Sequence, residues 1–189
     1  MKVVTRCGWV TANPIYIAYH DEEWGVPVHD DVKLFEFLLL EGAQAGLSWL
    51  TVLKKREAYR SAFDGFDPYR IASYDEKKID LLMENAGIIR NRRKITSAVL
   101  NAGRFLEICD RYGSFDRYIW DFVDGRPIVK AWKNLAQVPS STPLAAKIGM
   151  DLKKKGFSFV GPTIIYSFMQ AVGMVNDHVT SCFRYPVLK

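Results

Sequence analysis

Cys7 and His20 stand near the start of the chain, and His178 and Cys182 near its end. The 189-residue sequence holds three cysteines and three histidines, and these four are two of each. As a set they offer two thiolates and two imidazoles, a common donor mix of a closed tetrahedral zinc shell. Their separation is unusual. A zinc finger keeps its ligands within about thirty residues, whereas a metal here would tie the two ends of the chain together. A four-donor shell leaves no open position for water, so such a site would be structural. The H-x3-C spacing of His178 and Cys182 puts both side chains on one face if the segment is helical. The C-x12-H spacing of Cys7 and His20 is looser. Taken singly, a cysteine is often a small buried hydrophobe and a histidine a satisfied core residue. On spacing alone that reading stands beside the zinc reading.

A second set is aromatic and acidic. Trp9, Tyr16, Tyr19, Trp24 and Trp49 crowd the first fifty residues, and Glu41 stands among them in the apolar run FEFLLLEGAQAGLSW. A carboxylate at the end of Leu38-Leu39-Leu40 is costly to bury without a partner. Either Glu41 reaches the surface over an aromatic core, or the set forms a pocket with stacking faces and one anionic acceptor. A pocket of that kind suits a flat, cationic or amino-bearing ring, and a nucleobase turned out of a duplex is such a ring.

A third set is basic. LLMENAGIIRNRRKITSAVL places a short glycine turn between two helical patterns, which is the layout of a helix-hairpin-helix. Backbone N–H groups of such a hairpin, with nearby cations, can hold a DNA phosphate. Gly87, Ile88 and Ile89 form the turn, and Arg90, Arg92, Arg93 and Lys94 supply charge. The common form has a second glycine where Ile89 stands, so an ordinary helix corner with a solvated basic face remains the other reading.

The elements that must position these residues read as helices. Asp30 or Asp31 caps VKLFEFLLLEGAQAG, and Ser48 caps WLTVLKKREAYRSAF with Trp49, Val52, Leu53, Tyr59 and Phe63 at helical spacing. Asp75 precedes a helix predicted to run to Gly87, and the next runs from the arginines to Gly113. Ser114 starts another, Thr142-Pro143 opens one that ends at Gly156, and Pro162 opens the last. No sustained alternation is present, so strands are expected to be minor. The stretch DGRPIVKAWKNLAQVPSS reads as the long connection.

Composition narrows the function classes. At this length one domain, residues 1–189, buries roughly 70% of its unfolded surface. The net charge of +5 fits a polyanionic partner without requiring one. No apolar run of about 18 residues is present to span a membrane, and MKVVTRCGW lacks the apolar core of a signal peptide. Three cysteines are too few and odd for a disulfide scaffold, which points to a reducing cytoplasm. Nothing suggests more than a monomer.

The segments RCGWV, YIAYHDEEWGVP, LEGAQAGLSWLTVLKKRE, AGIIRNRRKI and KKGFSFVGPTIIYSFMQAVGMVNDH, with Cys182, together resemble the bacterial 3-methyladenine DNA glycosylase I family across residues 6–182. The resemblance implies an all-α helix-hairpin-helix glycosylase fold whose end segments, 1–25 and 174–189, are joined by one structural zinc. It implies hydrolytic removal of 3-methyladenine from double-stranded DNA, with the free base as product and no lyase step. It places the zinc ligands on Cys7, His20, His178 and Cys182. Base recognition falls on Glu41, and the pocket rings on Trp9, Tyr16, Tyr19, Trp24 and Trp49. The intercalating loop falls on Ala45, Gly46 and Leu47, and the DNA-anchoring hairpin on Gly87, Ile88, Ile89, Arg90 and Arg92. Glu41 is expected to be ionised and not to act as a nucleophile. Asp110 lies near the spacing of a catalytic aspartate in other helix-hairpin-helix glycosylases, and the resemblance tells against that role. Two other functions stay open at this point: a zinc-stapled DNA-binding protein without catalysis, and a glycosylase of broader alkylpurine range.

Overall fold

The computed structural model describes residues 4–187, so the outermost residues of the two joined end segments, 1–3 and 188–189, lie outside the described range. The fold is mostly helical. Its centre is α2, Asp31–Gln44, in which every residue from Leu34 to Ala43 is buried. A helix that is apolar on all sides has to lie inside other helices, and α3, α6, α7 and α9 surround it. Asp30 starts α2 by accepting from the Lys33 amide at 2.8 Å. Ser48 does the same for α3, Trp49–Ala62, through the Thr51 amide at 3.2 Å. These are the short polar caps expected of each helix start.

The second half of the chain wraps α2. α5, Glu76–Glu84, and α6, Arg92–Tyr112, are packed neighbours joined by the turn at 85–91. α5 thus ends sooner than the glycine suggested, because Asn85 leaves the helix and accepts from the Gly87 amide at 2.8 Å. Gly87 is required there by space: a Cβ would stand 2.9 Å from that of Ala58 on α3. α6 closes on Gly113 in the left-handed region, as its sequence position predicts. α7, Phe115–Trp120, follows, then the long connection, α8, Pro143–Lys154, and α9, Pro162–Ala171. α9 stops short of Met174, and the chain then extends. Two helical pieces were not read from the sequence: α1, Pro14–Ala18, with the π-helical turn Tyr19–Glu23 that continues it, and α4, Pro68–Ala72.

Strand content is minor, as expected. β1, Ile128–Val129, pairs in parallel with β2, Val175–Asn176. That ladder, and the Thr180 amide donating to the Trp132 carbonyl at 2.8 Å, pin the long connection to the C-terminal segment. The two chain ends also meet through backbone. Gly25 N–H donates to the Gln170 carbonyl at 3.0 Å, and Phe183 N–H to the Thr5 carbonyl at 3.0 Å. No helix among the described residues is long and apolar enough to cross a membrane.

Candidate functional site

Cys7, His20, His178 and Cys182 come together in one fully buried cluster, with all four ligand atoms within 4.8 Å of one another. His20 arrives on the π-helical turn. The wider turn is closed by the Trp24 amide donating to the Tyr19 carbonyl at 2.9 Å, and it sends Tyr19 and His20 inward together. His178 and Cys182 do not share a helix, contrary to the helical reading of their spacing. A tight turn does the work: Cys182 N–H donates to the Val179 carbonyl at 2.8 Å. His178 Nδ1 lies 3.5 Å from Cys7 Sγ and 3.4 Å from Cys182 Sγ, and His20 Nε2 lies 3.5 Å from Cys182 Sγ. Metal bonds of ~2.3 Å to sulfur and ~2.0–2.1 Å to nitrogen give tetrahedral sulfur–nitrogen edges of about 3.5 Å. Three of the six edges of the donor set therefore match those of a tetrahedral metal shell, and the set could hold such an ion.

The outward nitrogens of both imidazoles are held. His20 Nδ1 meets Asp21 Oδ1 at 2.7 Å, and Arg6 grips the same carboxylate from Nε at 2.8 Å and Nη2 at 2.6 Å. His178 Nε2 meets the Trp24 carbonyl at 3.1 Å. These contacts place the ring protons on the outer nitrogens and turn lone pairs toward the cluster, as outer partners of metal-bound histidines do. Partial burial raises Asp21, but hydrogen bonds from Arg6 and His20 overcome it and keep the carboxyl below its ordinary range. The hydrogen bond between the two thiols, helped by both imidazoles, draws Cys182 down toward the thiolate.

Beside the cluster opens a cavity of about 400 Å³, within the roughly 300–1,000 Å³ range of small-molecule sites. Trp9, Tyr16, Tyr19, Trp24, Trp49 and Glu41 all line it. Trp9 meets Trp24 edge-on with centroids 5.1 Å apart, and Tyr19 lies 5.4 Å from Trp49. Trp24 also packs edge-on against His178 at 4.5 Å, so one ring serves both the cavity wall and the cluster. Glu41 does not reach the surface: it is 3% exposed. Its Oε2 and the indole Nε1 of Trp49 find no hydrogen-bond partner among the described residues. Burial alone pushes Glu41 up to about 8. Against the expectation of an ionised Glu41, burial in this pocket favours the neutral acid, and no cation among the described residues offsets the desolvation.

Sequence reasoning missed several lining groups. Gln44 lies one helical step beyond Glu41, so the 3.6-residue period pointed to it. Ser167 and Gln170 share a face of α9, and Leu135, Val138 and Pro139 come from the long connection. Asp177, next to His178, lines the cavity with its carboxylate fully engaged, by Trp132 Nε1 at 2.7 Å, Tyr166 Oη at 2.5 Å and Gln170 Nε2 at 2.9 Å. Asp110 is exposed on the last turn of α6 and is not part of the cavity wall.

The basic turn differs from its reading in detail. The amides of Gly87, Ile88 and Ile89 are taken by Asn85 Oδ1, the Asn85 carbonyl and the Tyr59 hydroxyl. Ile88 is buried. None of the three amides is therefore free for a phosphate. Arg92 is paired with Glu76 at 2.9 Å and with Asp80. Arg90 and Arg93 are exposed and form no ion pair among the described residues. Leu47 is 42% exposed at the tip of the loop after α2, and Gly46 takes a φ of +79° that a side chain would resist.

The helical fold is shared with solved DNA glycosylases. One is a crystal structure of 3-methyladenine DNA glycosylase I, at TM-score 0.93 and 53% identity over 96% of this chain and 100% of that one. Another is 3-methyladenine DNA glycosylase I from Staphylococcus aureus, solved for the basis of 3-methyladenine recognition, at TM-score 0.93 and 38% identity over 96% of each chain. DNA-3-methyladenine glycosylase 1 of Escherichia coli strain K12 is 51% identical over 181 residues, 96% of this chain and 97% of that protein. The methyladenine glycosylase family profile matches residues 9–185, and the chain belongs to that family.

Proposed function

We propose that the protein removes 3-methyladenine from double-stranded DNA by hydrolysing its N-glycosidic bond, as a monomer in the bacterial cytoplasm. The observation that carries this is Glu41, buried with an unpartnered oxygen in an aromatic pocket. A purely structural or DNA-docking protein has no use for such an uncompensated group. A flipped ring stacked on the pocket aromatics gains roughly 1–3 kcal/mol, which offsets the few kcal/mol of unstacking. N3-methylation makes the ring cationic. A cation against Glu41 draws its proton off and leaves a carboxylate that accepts from the exocyclic amine. Water adds at the sugar C1′ and loses a proton to solvent, the glycosidic electron pair goes to the base, and the base departs neutral. A leaving group that is already charged needs little general acid, so Glu41 reads and holds and does not attack.

In this reading the four-ligand cluster holds one structural zinc that joins the end segments of a single domain. Its edges of 3.4–3.5 Å and its held imidazoles support that role. The α5–α6 pair acts as the DNA-anchoring hairpin and Leu47 as the wedge. The phosphate would be met by Arg90, Arg93 and the first amides of α6 in place of the turn amides. The test is incubation with methylated duplex DNA and chromatography of the released base. Release of 3-methyladenine, with 7-methylguanine retained and the strand uncut, is expected. Binding without release would leave a DNA-binding module only.

A further inference from the structure

Lys94 was grouped by sequence with the cations of the basic turn, yet its side chain faces inward. Its Nζ donates to the carbonyls of Ala43 at 2.8 Å and Ala45 at 2.6 Å. Those carbonyls end α2 and begin the loop that carries Leu47. The other acceptors there are also taken. The Ala45 amide meets the Gly42 carbonyl at 3.4 Å, and the Leu47 amide meets that of Gln44 at 2.7 Å. A cation in the first turn of its own helix is unfavourable, whereas one at the C-terminus of another helix is favourable. The geometry makes sense if Lys94 serves α2 and its loop more than α6. It is half-buried, and burial lowers its pKa.

We propose that Lys94 is a positioning residue that fixes the Ala45–Gly46–Leu47 loop against α6, so that seating the basic turn on the backbone also sets Leu47 at the base stack. This rests on the glycosylase reading above. Lys94 lines neither the aromatic cavity nor the Cys/His cluster, so its effect is confined to work done on the duplex. The loop contains Gly46, the most conformationally free residue type, and two carbonyl contacts from one rigid helix remove much of that freedom.

The experiment compares the wild type, Lys94→Met, Leu47→Ala and the double variant. Single-turnover release of 3-methyladenine from methylated duplex is expected to fall about tenfold or more in Lys94→Met, the usual scale for a misplaced group. Affinity for the free base should stay within about twofold, and the salt slope of DNA binding should not change. In the Leu47→Ala background, Lys94→Met should add less than about twofold, because the part it positions is gone. A salt slope lower by about one would make Lys94 a phosphate contact and overturn the proposal. So would undiminished excision, or a full additional loss in the Leu47→Ala background. Should Lys94→Met lose its fold, Lys94→Gln keeps amide donors on a shorter stem and carries the same measurements. Wild-type protein that releases no base would sink the glycosylase reading instead, which separates the two failures.

Discussion

The Cys/His cluster and the aromatic pocket share a wall, since Cys7 belongs to both and Trp24 of the pocket packs against His178, yet their polar groups are treated in opposite ways. Around the cluster the outward nitrogens of both imidazoles have partners, and one of those partners is itself clamped by Arg6. In the pocket, Glu41 Oε2 and Trp49 Nε1 have none. Buried polar atoms are almost always satisfied in a native protein, so the exceptions mark where something else is meant to bind. The cluster is arranged to hold itself together. The pocket is arranged to receive. Glu41 can remain unpaired because burial keeps it neutral, which costs far less than burying an unpaired charge.

The largest effect should come from the cluster. Cys182→Ser removes one of four donors that close a loop nearly as long as the chain. A structural zinc contributes its binding energy to folding. A loss of about 3 kcal/mol or more, read as a fall of about 10 °C in melting temperature, is expected together with loss of bound zinc. Metal analysis and calorimetry on the same samples decide it. Freshly purified protein without zinc, or a chelator that halts base release while the melting temperature holds, would break the division between a structural cluster and a working pocket.

Next in size is Glu41→Gln, which keeps the shape and removes the charge available to a cationic ring. Titration calorimetry with free 3-methyladenine should show affinity down by about 100-fold, the range for losing a charge-assisted buried contact. Zinc content and affinity for undamaged DNA should stay at wild-type levels. Wild-type affinity in this variant would move base reading elsewhere in the pocket, with Gln44 and Asp177 the nearest polar groups to examine.

These two regions were not equally legible in the sequence. The four cluster residues could be picked out because cysteine and histidine are sparse in the chain and their types suit a metal shell. How they meet could not be read. His20 depends on a π-helical turn whose extra residue has no composition signal, and Cys182 reaches His178 through a turn where a helix was the natural reading. The helices of the core were legible because Asp30, Ser48, Asp75, Ser114 and Thr142 each cap one, and Gly113 ends one. The charges were the least legible. Arg90, Arg92, Arg93 and Lys94 are four similar residues in one short run, yet Arg92 pairs with acids of α5 and Lys94 turns inward, and only tertiary packing decides that. The wall from Leu135 to Pro139 was hidden for a related reason: a two-residue parallel ladder brings it in from the longest connection.

A smaller effect tests the neutral state of Glu41. Its folded pKa, pushed up to about 8, exceeds the ordinary carboxylate value it has when unfolded. A group shifted upward in the fold adds stability that is full below the unfolded value and drains away as pH rises through the folded one. The window therefore runs from about pH 4.5 to about pH 8. Glu41→Gln cannot ionise and escapes this loss. Its melting temperature relative to wild type should rise by about 3 °C or more between pH 5 and pH 8. Parallel curves across that range would mean Glu41 is already ionised, and the contrast between a self-satisfied cluster and a neutral, receptive pocket would fall.

The smallest effect concerns the basic turn. If the DNA backbone is met by the exposed Arg90 and Arg93, which form no ion pair among the described residues, their joint replacement by Ala removes about two phosphate contacts. The slope of log affinity against log salt should then flatten by roughly two. At physiological salt the affinity loss should be modest and similar for any sequence. Arg92→Ala is the internal contrast. Its guanidinium is already held by Glu76 and Asp80, so it should change the slope by less than half as much as either neighbour. Exposed pairs of this kind contribute little to stability, so the variant should fold normally and the comparison stays clean. Equal slopes for all three single variants would return the segment to an undifferentiated basic face. A slope unchanged in the Arg90→Ala and Arg93→Ala double variant would leave the α5–α6 turn as a helix corner, and the search for the DNA track would pass to the other cations of the surface.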